Sequence, residues 1–285
     1  MKSPAFSYAR PRSVEEALQL LAQHGDGARL LAGGQTLLAT LNMRLSEPEV
    51  LIDLQAIESL KGITVNGDLL RIGAMVTHSE IEASPLIAQH APLLAEAVPH
   101  IAHRAIRNLG TFGGSIAYGD PAAEWPACLV ALGGTVVVQS ANAERRIAAD
   151  DFYLDLYTTA LAEGEIITAC EIPLVANQKT SFTELARRMG DYAVVGLALT
   201  AIEVQGKLFD VRVVWLGLGS TPVRSKGVEA TLAGHPLSAE LIASAVEVLR
   251  DELVPFADLT HNEATKTQLA TVLLKRALLG WSSTK

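Results

Sequence analysis

The sequence predicts an α+β fold in which a small α/β unit precedes two units built on antiparallel sheets. Residues 30–45 place a Gly-Gly turn between an apolar strand and a helical segment. Asn66-Gly67 separates two alternating segments, which is typical of an antiparallel hairpin. Residues 197–216 alternate in the same way and precede two helical segments, so a second antiparallel sheet is expected near the carboxyl end.

The first unit is predicted to span residues 1–55. Ser13-Val-Glu-Glu16 has the form of a capping box, so a helix is expected to begin there and to end at Gly25. A buried strand ending at Leu31, the glycine turn, a second helix and a strand near residues 50–54 complete the unit. The second helix is expected to carry its apolar side chains at Leu37, Leu38, Leu41 and Leu45.

The second unit is predicted to span residues 56–176 and to combine helices with a largely antiparallel sheet. Thr77-His-Ser-Glu80 is another capping box. Further helices are expected over residues 92–104 and 121–132, the second with Asp120 as its N-cap. Strands are expected near residues 63–65, 69–72, 135–139, 146–147 and 165–172.

The third unit is predicted to span residues 177–285. Residues 173–181 become polar in their second half and are interpreted as a linker. Hairpin strands are expected over residues 197–204 and 211–216. Two helices, over residues 239–252 and 263–279, are expected to end the chain.

Composition restricts the classes of protein to which the chain can belong. Its 285 residues, 49% of them hydrophobic, suffice for two or three compact units. The net charge of −8 disfavours binding to nucleic acid, which needs a basic face.

No apolar run reaches the roughly 20 residues of a membrane span, and Met1–Tyr8 lacks the apolar core of a signal peptide, which favours a cytoplasmic protein. Cys128 and Cys170 are too few for an iron–sulfur cluster and are expected to be buried thiols.

Two glycine loops carry the candidate chemistry. In Ala32-Gly-Gly-Gln-Thr36 the glycines permit positive φ, and the start of the following helix directs free N–H groups at one point, which suits a phosphate. Asn108–Ala117 repeats this pattern and adds hydroxyl donors at Thr111 and Ser115. Neither loop has the GxGxxG or GxxxxGK[ST] spacing. Each Gly-Gly taken alone also fits an ordinary turn.

The motifs continue beyond these loops in a fixed order: Met43-Arg-Leu45, Leu51-Ile-Asp-Leu54, Ile72–Glu80, Asp120–Ala127, Thr159–Glu165 and Gly190-Asp-Tyr-Ala193. Together with the loops they cover nearly the whole chain. They closely resemble the FAD-binding medium subunit of molybdenum hydroxylases, the carbon monoxide dehydrogenase and xanthine dehydrogenase group. The resemblance implies a two-part FAD-binding domain followed by a three-stranded antiparallel sheet with helices.

The resemblance also implies non-covalent FAD and its contacts. In the family the two loops hold the FAD diphosphate, which here corresponds to Ala32, Gly33, Gly34, Gln35, Thr36, Gly110, Thr111, Phe112, Gly113, Gly114 and Ser115. Gln35 replaces a frequent histidine; its amide can donate to phosphate but cannot carry a covalent flavin. Relatives contact FAD at the positions of Ile101, Glu124, Leu161 and Tyr192, the acidic residue at the sugar region and the last two at the flavin ring. Each of these four also fits a purely structural role.

No catalytic or metal-binding residue is predicted in this chain. His100 and His103 lie three residues apart on a predicted helix, but no third ligand of suitable type is near them in sequence. Arg104 and Arg107 precede the second loop, and a solvated or interface charge is the default interpretation of both.

The expected function follows from the resemblance. A molybdopterin-binding large subunit would hydroxylate the substrate, and a ferredoxin-like iron–sulfur small subunit would relay the electrons. The FAD of this chain would pass them to an external acceptor, within a heterohexamer. Because the substrate does not contact this chain, its sequence does not name the substrate.

Two alternatives of other classes stay open. The chain could be a free-standing FAD-dependent oxidoreductase with its own pocket, or a non-catalytic nucleotide-binding scaffold. For the FAD site at the two loops, Gly34→Val or Gly113→Val is expected to abolish FAD retention and leave most of the fold intact.

Overall fold

The computed structural model describes residues 2–283, and within them the strands form three sheets and one short ribbon. The amino-terminal elements are β1 Ser7–Ala9, α1 Val14–His24, β2 Ala28–Leu31, α2 Leu37–Asn42 and β3 Val50–Asp53. The strands are parallel in the order β1-β3-β2, because each helix carries the chain back across the sheet. The predicted α/β unit is therefore present, with β1 as an additional edge strand.

Two details of the helix predictions in this unit need correction. The Ser13 hydroxyl accepts from the Glu16 N–H at 3.2 Å, but the Glu16 carboxylate accepts from the Arg12 N–H, so the capping box is only half formed. Helix α2 ends at Asn42, and Leu45 lies beyond it with 71% of its surface exposed. Leu45 therefore does not belong to the buried face that the spacing predicted.

The middle sheet is antiparallel throughout, in agreement with the predicted class. Its strands are β4 Ile63–Asn66, β5 Leu69–Gly73, β6 Thr135–Gln139, β7 Glu144–Ala148 and β10 Ile166–Pro173, in the order β4-β5-β10-β6-β7. The ribbon pairs β8 Tyr153–Asp155 with β9 Thr158–Thr159. The predicted hairpin is present, but Asn66 pairs with Leu69, so Gly67 and Asp68 form the turn, one residue later than expected.

Short helices surround this sheet: α3 His78–Ala83, α4 Pro85–His90, α5 Pro92–Ala97, α6 Arg104–Arg107, α7 Phe112–Tyr118, α8 Glu124–Ala131 and α9 Ala149–Phe152. The helix predicted over residues 92–104 is interrupted. Helix α5 ends at Ala97, because Pro99 has no N–H to continue the helical hydrogen bonds. Ala102 then turns the chain with a φ of 42°. His100 and His103 therefore do not share a helix face.

Helix α8 is buried from Trp125 to its end and lies between the middle sheet and the third sheet. It begins at Glu124, with Ala123 as N-cap, three residues later than predicted. The Asp120 carboxylate accepts from the Ala122 N–H at 2.9 Å in the preceding turn, so its predicted N-cap role is wrong. Cys128 on this helix and Cys170 in β10 are buried free thiols, as predicted.

The third unit contains β11 Gln178–Ala186, β12 Ala193–Val204, β13 Lys207–Leu216, β14 Val223–Arg224, α10 Lys226–Leu232, α11 Ala239–Glu252 and α12 Glu263–Ser283. The three long strands agree with the expected sheet, and β14 adds two residues at its edge. Residues 178–181 belong to β11, so the predicted linker is too long, and α10 was not predicted. No helix within the described residues 2–283 has the length and apolar character needed to cross a membrane.

Both faces of the third sheet are covered. Ala198 and Val214 pack into the core of the middle unit, whereas Leu197 and Trp215 pack among α10, α11 and α12. The Arg212 side chain also donates to the carbonyl of Val130, next to the end of α8, at 3.2 Å. The third sheet is therefore joined to the middle unit by a continuous apolar core.

Candidate functional site

The two glycine loops are in direct backbone contact. A Cβ added to Gly33 would lie 2.1 Å from the carbonyl oxygen of Leu109 and 2.7 Å from the Cα of Gly110. A Cβ added to Gly114 would lie 3.3 Å from the Cβ of Ala32. The two loops, which the resemblance expects to hold one diphosphate, therefore lie against each other.

A segment that follows β5 holds the second loop in place. The His78 N–H donates to the carbonyl of Gly110 at 2.9 Å, and the Phe112 N–H donates to the carbonyl of Val76 at 2.8 Å. The Gly113 N–H donates to the carbonyl of Ala74 at 2.9 Å. The middle sheet therefore sets the position of this loop through three backbone hydrogen bonds.

The loop glycines are required by packing as well as by φ. A Cβ at Gly113 would lie 2.5 Å from the Cβ and 2.7 Å from the Cα of Ala74, so a valine there would displace the backbone. The expectation of an intact fold is therefore wrong for Gly113. Gly34 has a φ of 71°, and its Cβ would meet the side chains of Leu31 and Leu38 at 3.1 to 3.2 Å.

The first loop presents free donors. Among the residues that the structure describes, none accepts a hydrogen bond from the backbone N–H groups of Gly33, Gly34, Gln35 or Thr36. The Gln35 amide donates to the Gly33 carbonyl at 2.8 Å, which stiffens the loop and leaves its second N–H available. Four adjacent N–H groups without partners at the start of a helix form a site for an anion.

The second loop uses one of its hydroxyls internally. Thr111 is the N-cap of α7, and its Oγ accepts from the Gly114 N–H at 3.1 Å. Thr111 is buried, so the cap is shielded from water. The Ser115 hydroxyl, one turn later, has no partner within residues 2–283 and faces the space between the loops.

We expect Thr111→Val to lower the free energy of unfolding by about 1 kcal/mol, because the helix loses its cap. Urea denaturation followed by circular dichroism measures this change. Thr36→Val is the matched control, since the Thr36 side chain makes no capping bond at the start of α2. Equal destabilisation by both substitutions would show that the Thr111 cap contributes nothing.

A cavity of about 590 Å³ opens where the loops meet, a volume within the usual range of ligand sites. The following predicted residues line it: Ala32, Gly33, Gly34, Gln35, Thr36, Ile101, Gly110, Thr111, Gly113, Gly114, Ser115, Glu124, Leu161 and Tyr192. Phe112 is the exception. Its side chain is fully buried, and its ring packs on Trp125 with 5.4 Å between ring centroids.

Carboxyl groups with raised pKa values lie at the cavity: Asp120 and Glu124 line it, and Glu184 is near Glu124. Burial and the nearby Glu184 carboxylate raise the pKa of Glu124 to about 8. Burial raises the pKa of Glu184 to about 7, and the Oε2 of this side chain has no partner among the described residues. Burial also raises the pKa of Asp120. Glu124 is therefore mainly protonated near neutral pH, and a protonated carboxyl group can both donate to and accept from hydroxyl groups.

The third unit contributes one edge of the cavity. Gly190 has a φ of 77°, and a Cβ there would lie 2.6 Å from the carbonyl oxygen of Ala102. This close contact brings Tyr192 to the mouth, where 70% of its surface is exposed. Tyr118 and Tyr157 stand in contact nearby, with 5.0 Å between their ring centroids.

Several lining residues were not predicted: Ala102, Tyr118, Asp120, Gly190, Asp191 and His78. Gly190-Asp191 carries a turn signal that could have indicated a close backbone approach. For the others no local pattern indicates a place in the cavity, because that place depends on how distant elements pack together.

The basic residues before the second loop have structural partners. Arg104 and Arg107 both pair with Glu82, at 2.7 Å and 3.3 Å. Arg107 also donates to the carbonyls of Ile101 and Ala102, so it holds the segment that lines the cavity. No three His, Cys, Asp or Glu side chains within the described part of the chain are grouped so that they could hold a metal ion.

The cavity fits a dinucleotide with a diphosphate. The free backbone donors of residues 33–36 lie at the loop contact, where Gly33 packs on the backbone of Leu109. The carboxyl group of Glu124 can bind hydroxyl groups, and the aromatic side chain of Tyr192 also lines the cavity. One cavity thus offers donors for an anion, a carboxyl group and an aromatic side chain.

Sequence comparisons identify relatives over the whole length. The family described as FAD binding domain in molybdopterin dehydrogenase matches residues 4–175, and the CO dehydrogenase flavoprotein C-terminal domain matches residues 180–280. The chain is 40% identical over 279 residues to the nicotine 6-hydroxylase medium subunit of Paenarthrobacter nicotinovorans, covering 98% of each. It is 35% identical over 279 residues to the carbon monoxide dehydrogenase medium chain of Hydrogenophaga pseudoflava, covering 98% of this chain and 97% of that one.

Solved structures agree with these relatives. A chain of carbon monoxide dehydrogenase from Hydrogenophaga pseudoflava, in a form lacking the Mo-pyranopterin moiety of the molybdenum cofactor, matches with a TM-score of 0.95 and 36% identity over 99% of both chains. A chain of quinoline 2-oxidoreductase from Pseudomonas putida 86 matches with a TM-score of 0.93 and 35% identity over 98% of both. The chain therefore belongs to the FAD-binding medium subunits of the molybdenum hydroxylase family, and it is an oxidoreductase subunit with FAD as its cofactor.

Proposed function

We propose that this chain is the electron-transfer subunit of a molybdenum-containing hydroxylase or dehydrogenase. It receives electrons from an iron–sulfur subunit and passes them to an external acceptor. The observation that carries the proposal is the cavity at the contact of the two glycine loops, in a chain of this family. Bound FAD supplies the redox chemistry, since a flavin accepts and releases electrons without protein nucleophiles or metal ligands.

The proposal assigns a part of FAD to each region of the cavity. The free N–H groups of residues 33–36 and the Ser115 hydroxyl bind the diphosphate, which lies between the loops of residues 32–36 and 110–115. Ile101 packs on an apolar part of the cofactor, and Glu124 binds hydroxyl groups of its sugar region. Leu161 and Tyr192 lie against the isoalloxazine ring, since both line the cavity and an aromatic side chain suits a flavin.

The proposed partners are a molybdopterin-binding large subunit and a ferredoxin-like iron–sulfur small subunit, in a heterohexamer. The names of the relatives support this assembly, because two of them are medium chains or medium subunits and one is subunit alpha of a 6-hydroxypseudooxynicotine dehydrogenase complex. The cytoplasmic location and the division into residues 1–55, 56–176 and 177–285 belong to the same proposal.

Purification of the complex from its host tests the proposal. We expect a yellow protein whose flavin absorbance is bleached by dithionite, and two further subunits that carry molybdenum and iron. A colourless protein that does not bind added FAD would contradict the proposal and favour a scaffold. A flavoprotein that purifies alone and oxidises a substrate without partners would favour a free-standing oxidoreductase.

A further inference from the structure

His78 lies in the wall of the cavity beside the second glycine loop, and no function assigned so far uses it. His78 is the first residue of α3, and only 6% of its surface is exposed. The imidazole packs against the Cα of Gly110, since a Cβ added to Gly110 would lie 2.7 Å from Nε2 of His78. His78 also lines the cavity, so the Nε2 edge of the ring is at its inner surface.

A buried hydrogen bond sets the tautomer of this imidazole. The indole N–H of Trp125 donates to Nδ1 of His78 at 3.0 Å. An indole nitrogen can only donate, so Nδ1 carries no proton and the hydrogen of the neutral ring is on Nε2. Burial and the positive charge of Arg107 lower the pKa of His78 to about 4, which keeps the ring neutral at pH 7.

The Nε2–H of His78 has no acceptor among residues 2–283, although the residue is more than nine-tenths buried. Nε2 itself is not fully buried and keeps contact with the space of the cavity that His78 lines. Its acceptor therefore comes from whatever occupies the cavity, which is water in the free chain or a polar group of a ligand. Gly110 is also the residue on which Gly33 packs, so this donor stands at the contact of the two loops.

We propose that the Nε2–H of His78 donates a hydrogen bond to a diphosphate oxygen of bound FAD. This inference rests on the proposed function, because it needs FAD in this cavity. Trp125 acts as a positioning residue: its indole fixes the tautomer and the orientation of the imidazole from behind. Gly110 is glycine because a side chain there would occupy the place of the ring.

The test compares dissociation constants of FAD for the full chain and its variants, measured from the quenching of flavin fluorescence. His78→Phe keeps an aromatic ring and removes the donor. We expect it to weaken FAD binding about 10- to 100-fold, the range for one hydrogen bond to a charged group. His78→Gln places an amide N–H near the Nε2 position and is expected to recover most of the affinity, whereas His78→Asn, which reaches only the Nδ1 position, is not.

Trp125→Phe is the matched control for the lost buried hydrogen bond. It keeps the imidazole donor but no longer fixes its tautomer and orientation, so we expect FAD affinity to fall, by a smaller factor than in His78→Phe. Equal losses for Trp125→Phe and His78→Phe would assign a packing role to His78 and overturn the inference. A His78→Phe protein that binds FAD as tightly as the wild type would do the same.

ADP and riboflavin locate the hydrogen bond on the cofactor. The affinity for ADP, which contains the diphosphate, is expected to fall in His78→Phe by the same factor as the affinity for FAD, and riboflavin binding is expected to stay unchanged. If the riboflavin affinity falls instead, the donor contacts the flavin end and the inference is wrong. If the wild-type chain binds neither FAD nor ADP, the proposed function fails, which this set of measurements separates from failure at His78 alone.

If a His78 variant does not fold, the inference can be tested on the wild-type chain by NMR. In protein labelled with ¹⁵N-histidine, addition of ADP is expected to shift the Nε2–H resonance of His78 and to leave its Nδ1 signal in the range of an acceptor nitrogen. An Nε2 signal that does not move at saturating ADP would overturn the inference.

Discussion

Gly33→Ala is expected to weaken FAD binding at least about 100-fold, because it separates the two loops that form the diphosphate site. The added Cβ would lie 2.1 Å from the carbonyl oxygen of Leu109 and 2.8 Å from its carbonyl carbon. These are backbone atoms, which cannot rotate away as a flexible side chain can. The loops must therefore move apart by about an ångström, and hydrogen bonds to an anion depend steeply on such distances.

Gly280→Ala is the matched control. Apart from its chain neighbours and the backbone of α12 itself, no atom of residues 2–283 lies within 4 Å of a Cβ at position 280, so the same substitution there is expected to leave FAD binding unchanged. Fluorescence quenching gives both dissociation constants, and circular dichroism verifies that the Gly33→Ala chain is folded. A folded Gly33→Ala protein with wild-type affinity for FAD would show that the loop contact does not form the binding site.

The sequence predicts the parts of this site that depend on the local backbone. Both glycine loops, the alternating strands and the buried cysteines lie where the pattern placed them, because turns, alternation and burial are local properties of a chain. The contact of Gly33 with Leu109 was expected only as a meeting of loops. The two loops lie this close because three backbone hydrogen bonds join the second loop to residues 74–78, and no local sequence pattern encodes those bonds.

The errors occur where long-range contacts override local preference. Residues 178–181 are polar, which predicts a linker, yet they pair with β12 and carry the hydrogen bond from Thr180 to the Glu96 carboxylate. His78 was treated only as part of a capping box. Its relation to Trp125, 47 residues later, appears only when α3 and α8 are packed together. Such polar contacts between distant elements have no periodic signature in sequence.

The second large expected effect is on the free energy of unfolding, which should depend on pH through Glu124. In the folded chain without cofactor its pKa is about 8, above the ordinary value of 4.5, because burial and the Glu184 carboxylate disfavour its charged form. Between pH 4.5 and pH 8 the folded chain therefore binds more protons than the unfolded chain, and raising the pH favours unfolding. The unfolding free energy is expected to fall by about 1–3 kcal/mol from pH 5 to pH 8, since water in the cavity reduces the full effect of burial.

Glu124→Gln removes the titrating proton and keeps a side chain of nearly equal size. We expect this substitution to abolish at least half of the fall in unfolding free energy between pH 5 and pH 8. The variant should therefore be more stable than the wild-type apoprotein at pH 8 and about equally stable at pH 5. The remaining slope comes from Glu184, whose pKa is raised to about 7. Urea denaturation at both pH values measures the effect, with Glu47→Gln, on the exposed surface, as the control that keeps the wild-type slope. A Glu124→Gln apoprotein that loses as much stability as the wild type between these pH values would show that this carboxyl group is already ionised in the folded cavity, and Glu124 would then meet the hydroxyl groups of FAD only as an acceptor.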